Sequence, residues 1–316
     1  MKTLNGLILI SLCWTTISVP IPGVEDGARP ILRTEDVIYG RKSGMALTMD
    51  VFQPAKPNKA GILFLVNGGW LSSKSTPLMV TIDPRNYQPY LDKGYTVFAV
   101  VTSSQPVFTI SDIMGDVQRA TRYIRTHAER FGVDSNRLGV LGSSSGGQLT
   151  LMLATQGGPG KPDAPDPVDR ASSAVQAAAC FFPPTDFLNY GAPGKDGVGM
   201  GPMEPLKVAF GPRSLSEAGR KSLGREISPI YHITSKLPPT LIISGDNDPV
   251  VPLQQSESFM TKAKSLGAKD LRLVIRPGKG HGWGNFWKSK EDTDEFVLWF
   301  DKFLANENLS IPVPIR

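Results

Sequence analysis

Ser144 stands in Gly142-Ser143-Ser144-Ser145-Gly146, a Gly-x-Ser-x-Gly spacing. A serine becomes a useful nucleophile when a base takes its proton, a carboxylate orients that base, and amides receive the charge developing on the attacked carbonyl. The turn makes the hydroxyl available. Its central residue sits in a strained conformation that crowds the positions two before and two after, and glycine relieves the crowding because it has no Cβ. The next amide, on Ser145, opens a helix, where partial positive charge gathers.

The remaining parts can be named from the same chain. His281 lies in Gly278-Lys279-Gly280-His281-Gly282-Trp283, and of the three histidines it alone follows the acidic loop Gly245-Asp246-Asn247-Asp248-Pro249. Asp248 is the favoured carboxylate because Asp-Pro-Val-Val-Pro turns the chain back directly after it. Asp246, nearer the preceding strand, and Asp186, at the end of an earlier one, stay open as alternatives. Asn67-Gly68-Gly69-Trp70 follows an apolar run, and paired glycines there let amides approach an anion.

These residues need a scaffold, and the patterning supplies one. Alternation over Asp36 to Phe52 around Lys42-Ser43-Gly44 predicts a hairpin. The continuous apolar run Gly61–Val66 predicts a strand buried on both faces, Tyr95–Val101 and Thr240–Ser244 further buried strands, and Leu138 onward, Ala174–Phe182 and Leu271–Ile275 the remaining strands. Helical periodicity covers Ser111–Phe131, closed by Gly132, with Gln254–Leu266 and Asp292–Leu304 further on. His127 falls off the apolar stripe of its helix and reads as a surface residue. Strands alternating with helices imply an α/β fold with a mostly parallel central sheet and helices on both faces. Residues 188–228, rich in glycine and mixed in charge, suit a small inserted cap controlling access to the pocket.

Composition narrows the partners. The 316 residues carry 34 Lys and Arg against 29 Asp and Glu, a formal charge of +5, scattered without a basic run, which argues against nucleic acid. Lys2, the apolar stretch Leu4 to Trp14 and small residues near Thr16 and Ser18 resemble an export signal over residues 1–19, leaving 20–316 as a single domain in the periplasm or outside the cell. No later run is long enough for a membrane span, so no stable insertion is expected once the signal is removed. Cys180 would then be the one cysteine of the mature chain, packed in the core and unable to form an internal disulfide.

The three motifs together resemble the α/β-hydrolase superfamily, most closely secreted carboxylesterases akin to the hormone-sensitive-lipase group and to feruloyl and acetyl xylan esterases. Gly142 to Gly147 is similar to Gly-x-Ser-Ala-Gly-Gly, Gly245 to Pro252 to Gly-Asp-x-Asp-x-x-Val-Pro, and Gly280 to Trp283 to Gly-His-Gly-aromatic. Ser144, Asp248 and His281 also follow the chain order of that group. The resemblance implies oxyanion donors on Gly68, Gly69 and Ser145, although Val66-Asn67-Gly68-Gly69-Trp70 departs from the usual His-Gly-Gly-Gly-Trp. It implies two-step acyl transfer on short-chain or aromatic esters, either small molecules or groups on plant polysaccharide, without metal or cofactor. A prolyl-oligopeptidase-like peptidase and a hydrolase-fold binding protein are the competing expectations.

Overall fold

The computed structural model describes residues 31–74 and 82–305; the expected export signal lies outside them. The described strands are β1 (Leu32–Lys42), β2 (Met45–Gln53), β3 (Gly61–Leu65), β4 (Thr96–Val100), β5 (Leu138–Ser143), β6 (Ala177–Phe181), β7 (Thr240–Gly245) and β8 (Leu271–Arg276). They form one sheet in the order β1-β2-β4-β3-β5-β6-β7-β8. β1 pairs antiparallel with β2, and β2 with β4; every pairing from β4 through β8 is parallel. The helices are α1 (Gln88–Asp92), α2 (Ile110–Thr126), α3 (Ser145–Gln156), α4 (Glu217–Ile227), α5 (Leu253–Ser265) and α6 (Lys290–Phe300). This is the architecture of an α/β-hydrolase fold.

Side-chain alternation divides the core into two apolar layers. Leu63, Leu65, Phe98 and Val100 face a layer shared with α2, α3, α4 and α5. Ile62, Phe64, Val97 and Ala99 face the other, shared with α1 and α6. Phe64 there meets Tyr87 and Trp287 at ring-centroid distances of 4.9 and 4.5 Å. Burial of a side chain that size stabilises by roughly 1.5–3 kcal/mol, so central strands covered on both faces form a rigid floor for loops at their carboxyl ends.

Three segments differ from their sequence patterns, each for a local reason. The helix expected through Phe131 ends at Thr126; His127 leaves helical geometry, and a 3-10 turn, Glu129–Phe131, closes on Gly132 at φ 66°. That tightening brings Phe131 edge-on to Phe98, with centroids 5.2 Å apart. The last helix starts earlier than expected, capped by Ser289, and gives way after Phe300 to a π-helical turn, Asp301–Ala305. Arg137 from beside β5 binds the carbonyls of Leu304 and Ala305 at 2.6 and 2.9 Å. Within 188–228, α4 was not legible because Gly219 and Gly224 lower its helix propensity. Ser216 caps it, and Leu223 and Ile227 are buried. Ahead of α4 the same segment forms 3-10 helices at Gly201–Phe210 and Pro212–Leu215.

Candidate active site

Ser144 sits between β5 and α3 with φ 53° and ψ −120°, a backbone region that a non-glycine residue adopts only where its surroundings impose it. The imposing contacts are its amide to Phe181 O at 3.0 Å and its carbonyl accepting from the Gln148 amide at 2.9 Å. A Cβ on Gly142 would drive into the Gly146 carbonyl, as the spacing anticipates. Gly146 is confined differently: its Cβ would lie 3.2 Å from Asn67 O, so the end of β3 and not Gly142 sets its size.

The sheet brings three distant side chains into one hydrogen-bonded row. Ser144 Oγ lies 2.9 Å from His281 Nε2, and His281 Nδ1 lies 2.7 Å from Asp248 Oδ2. The Asp248 side chain is fully buried, and that of His281 is 10% exposed. Asp248 Oδ1 accepts from the amides of Val250 and Val251, both at 2.8 Å, so neither carboxylate oxygen is left unpaired in the interior. Phe182 places its ring against the imidazole, with centroids 4.7 Å apart. Trp283 packs on Phe182 in turn and is tethered through Nε1 to Asp292 at 3.2 Å.

The other acidic candidates do different work. Asp246 accepts from the Gly278 amide at 2.6 Å and braces the histidine loop from outside. Asp186 accepts from the Leu188 amide, Asn189 Nδ2 and Tyr231 Oη, anchoring the base of the 188–228 segment. Burial and the nearby Asp186 carboxylate push the Tyr231 phenol up to about 12, which keeps it a donor. Of the other histidines, His127 stacks on Tyr123 and His232 binds Glu226 O. Cys180 is buried and free, its thiol held protonated by burial. Among the described residues no group of three or more His, Cys, Asp or Glu could hold a metal ion.

The paired glycines are held in a small bridge. Gly68 donates its amide to Leu71 O at 2.9 Å, so of the three expected anion donors this one is already engaged. Gly68 O accepts from the Leu71 amide at 3.0 Å. In a trans peptide the next N–H points opposite to that carbonyl, which turns the Gly69 amide away from the bridge. The Gly69 amide has no acceptor among the described residues, and Ser145, at the first helical position, has none within its helix. Gly69 has φ 59°, and a Cβ there would meet Leu206 of the 188–228 segment at 3.2 Å. Leu206 and Phe182 were missed by the sequence reading, since no motif marks them and only the fold brings them here. A cleft of about 790 Å³ opens elsewhere, lined by Tyr39, Lys42, Asp116 and Arg119 among others and by none of these site residues.

The comparisons agree with this architecture. A solved structure described as a truncated carbohydrate esterase from gut microbiota superposes with a TM-score of 0.71 at 23% identity, covering 88% of this chain and 98% of its own. The probable carboxylic ester hydrolase LipM of Mycobacterium tuberculosis is 24% identical over 78% of this chain and 56% of its own length. Esterase LipQ of the same organism is 26% identical over 83% of this chain and 60% of its own. The chain thus spans less than two thirds of either curated relative. The BD-FAE family profile matches residues 49–263, from β2 through most of α5, and with more than half of its length so matched the chain belongs to the BD-FAE family.

Proposed function

We propose that the chain is a serine esterase that cleaves carboxylic esters through an acyl-enzyme. The observation carrying this reading is the row from Ser144 Oγ through His281 to Asp248, at 2.9 and 2.7 Å. In the first step His281 Nε2 takes the Ser144 proton as Oγ bonds to the ester carbonyl carbon. The carbonyl electron pair moves to oxygen beside the amides of Gly69 and Ser145. Collapse of the tetrahedral adduct expels the alcohol, which leaves with the proton from His281. Water then adds to the acyl carbon, giving a proton to His281, and the acid departs as that proton returns to Ser144 Oγ. Asp248 holds the imidazole in the tautomer this exchange needs.

Family membership and the named esterases among the relatives support ester hydrolysis. The likeness to a carbohydrate esterase favours an ester group carried on a carbohydrate. The first nineteen residues favour export, which suits an extracellular polymer substrate. The test is Ser144→Ala against acetyl, butyryl, octanoyl and feruloyl esters, together with fluorophosphonate labelling. Loss of both turnover and labelling is expected, with acetyl or feruloyl leading the wild-type panel. Wild-type turnover by the variant would end the proposal. Unlabelled and inactive wild-type protein would favour a binding role.

A further inference from the structure

Ser145 Oγ donates to Asn67 Oδ1 at 2.7 Å, and both residues are buried, at 1% and 0% exposure. Asn67 Nδ2 continues to Thr102 Oγ1 at 3.3 Å, and Thr102 Oγ1 donates to Ser103 O at 3.0 Å. Asn67 and Ser145 are also two positions at which the chain departs from the motifs it resembles. Each introduces a buried polar group, and each satisfies the other. Either alone would leave a buried group unpaired, at a cost of about 1–3 kcal/mol.

The position of this bond gives it a second consequence. Three residues beyond Asn67, Trp70 donates Nε1 to Gln148 Oε1 at 3.2 Å, and Gln148 in turn donates to Ile227 O at 2.8 Å. Ser145 and Gln148 both belong to α3. The segment carrying Gly68 and Gly69 is therefore fixed at both ends to the helix that follows the nucleophile. One end of this clamp starts from the residue whose own amide is the second anion donor.

We propose that Asn67 and the Ser145 hydroxyl are positioning residues that set the spacing of the Gly69 and Ser145 amides about the oxyanion. The inference rests on the esterase reading, and acts on the tetrahedral intermediate. Stabilisation of that species depends on donors lying near 2.7–3.1 Å from the oxygen as it becomes charged, whereas substrate binding depends on them far less. A displacement of about 1 Å at such a site costs on the order of 10²-fold. Loss of the clamp is accordingly expected in kcat and not in KM.

The experiment compares wild type, Asn67→Ala, Ser145→Ala and the double variant on p-nitrophenyl acetate, with Ser144→Ala as reference. Inhibition by phenylboronic acid, which forms a tetrahedral adduct on the serine, is measured alongside. Each single variant should lose roughly 10- to 100-fold in kcat, with KM within about threefold, and its phenylboronate Ki should rise by a similar factor. The double variant removes the bonded pair together. It should recover thermal stability relative to the worse single variant without recovering kcat, which separates positioning from a structural role. If Asn67→Ala fails to fold, Ser145→Ala and the double variant carry the same comparison. Folded variants within twofold of wild type in kcat and Ki would overturn the inference while an inactive Ser144→Ala leaves the esterase reading standing. An active Ser144→Ala would instead remove the reading on which the inference rests.

Discussion

Replacing Asp248 with asparagine tests the catalytic reading most sharply, because the structure dictates which way the new amide must face. Asp248 Oδ1 accepts from two amides, Val250 and Val251, each at 2.8 Å, while Oδ2 accepts from His281 Nδ1 at 2.7 Å. Asparagine has one acceptor oxygen to divide between these sides. Turning its nitrogen toward the two amides would leave two buried donors unpaired, at about 1–3 kcal/mol each, so the oxygen takes that side. The amide nitrogen then faces His281 Nδ1 and forces it to accept. The ring proton moves to Nε2, where Ser144 needs a base. A wrong-tautomer histidine of this kind lowers kcat by about 10⁴ in a serine triad, or ~5.4 kcal/mol in activation free energy. The assay is saturating turnover of p-nitrophenyl acetate from pH 7 to 9, with folding checked by circular dichroism. Asp246→Asn, whose side chain accepts from the Gly278 amide outside the row, should stay within about threefold of wild type. Retention of more than a tenth of wild-type kcat by Asp248→Asn would refute the argument.

Two further outcomes concern stability. Gly142→Ala places a methyl group against the Gly146 carbonyl and should lower unfolding free energy by about 1–3 kcal/mol in urea titration, along with loss of activity. An unchanged midpoint would mean the elbow is looser than its geometry implies. Arg85 beside Asp83, with a smaller contribution from Lys288, holds the Asp83 carboxyl down at about 2. Because the folded value lies below the unfolded value of about 3.9, this contribution is complete above pH 5 and disappears as pH falls toward 2. Asp83→Asn should therefore be less stable than wild type at pH 6, with the gap closing by about pH 2 in urea titrations. A gap independent of pH would sink that assignment.

The nucleophile turn was legible because Gly142 meets a steric requirement within five adjacent residues, a Cβ there colliding with the Gly146 carbonyl, whereas the confinement of Gly146 itself comes from Asn67 and only the fold shows it. The strands were legible for a similar reason: burial on both faces leaves an unbroken apolar run, as in Ile62 to Leu65. The helix α4 was not, since Gly219 and Gly224 obscure its periodicity. Gly224 lets this helix pack closely, as a Cβ there would press on the Leu188 side chain. The engagement of the Gly68 amide also escaped sequence reading, because its partner, Leu71 O, is chosen by the shape of the bridge and not by any side chain.

The sequence by itself determined the residue types a serine hydrolase needs, their order along the chain and the alternating elements that could carry them. Those properties are local, written in turn sterics and in side-chain periodicity. Tertiary structure alone decided which of Asp186, Asp246 and Asp248 meets His281, because three carboxylates near strand ends differ only in which donors the folded loops bring to them. It also decided that Asn67 should meet Ser145, 78 positions away. A hydrogen bond between segments that distant exists only after β3 and β5 pair, and no pattern within either segment specifies it.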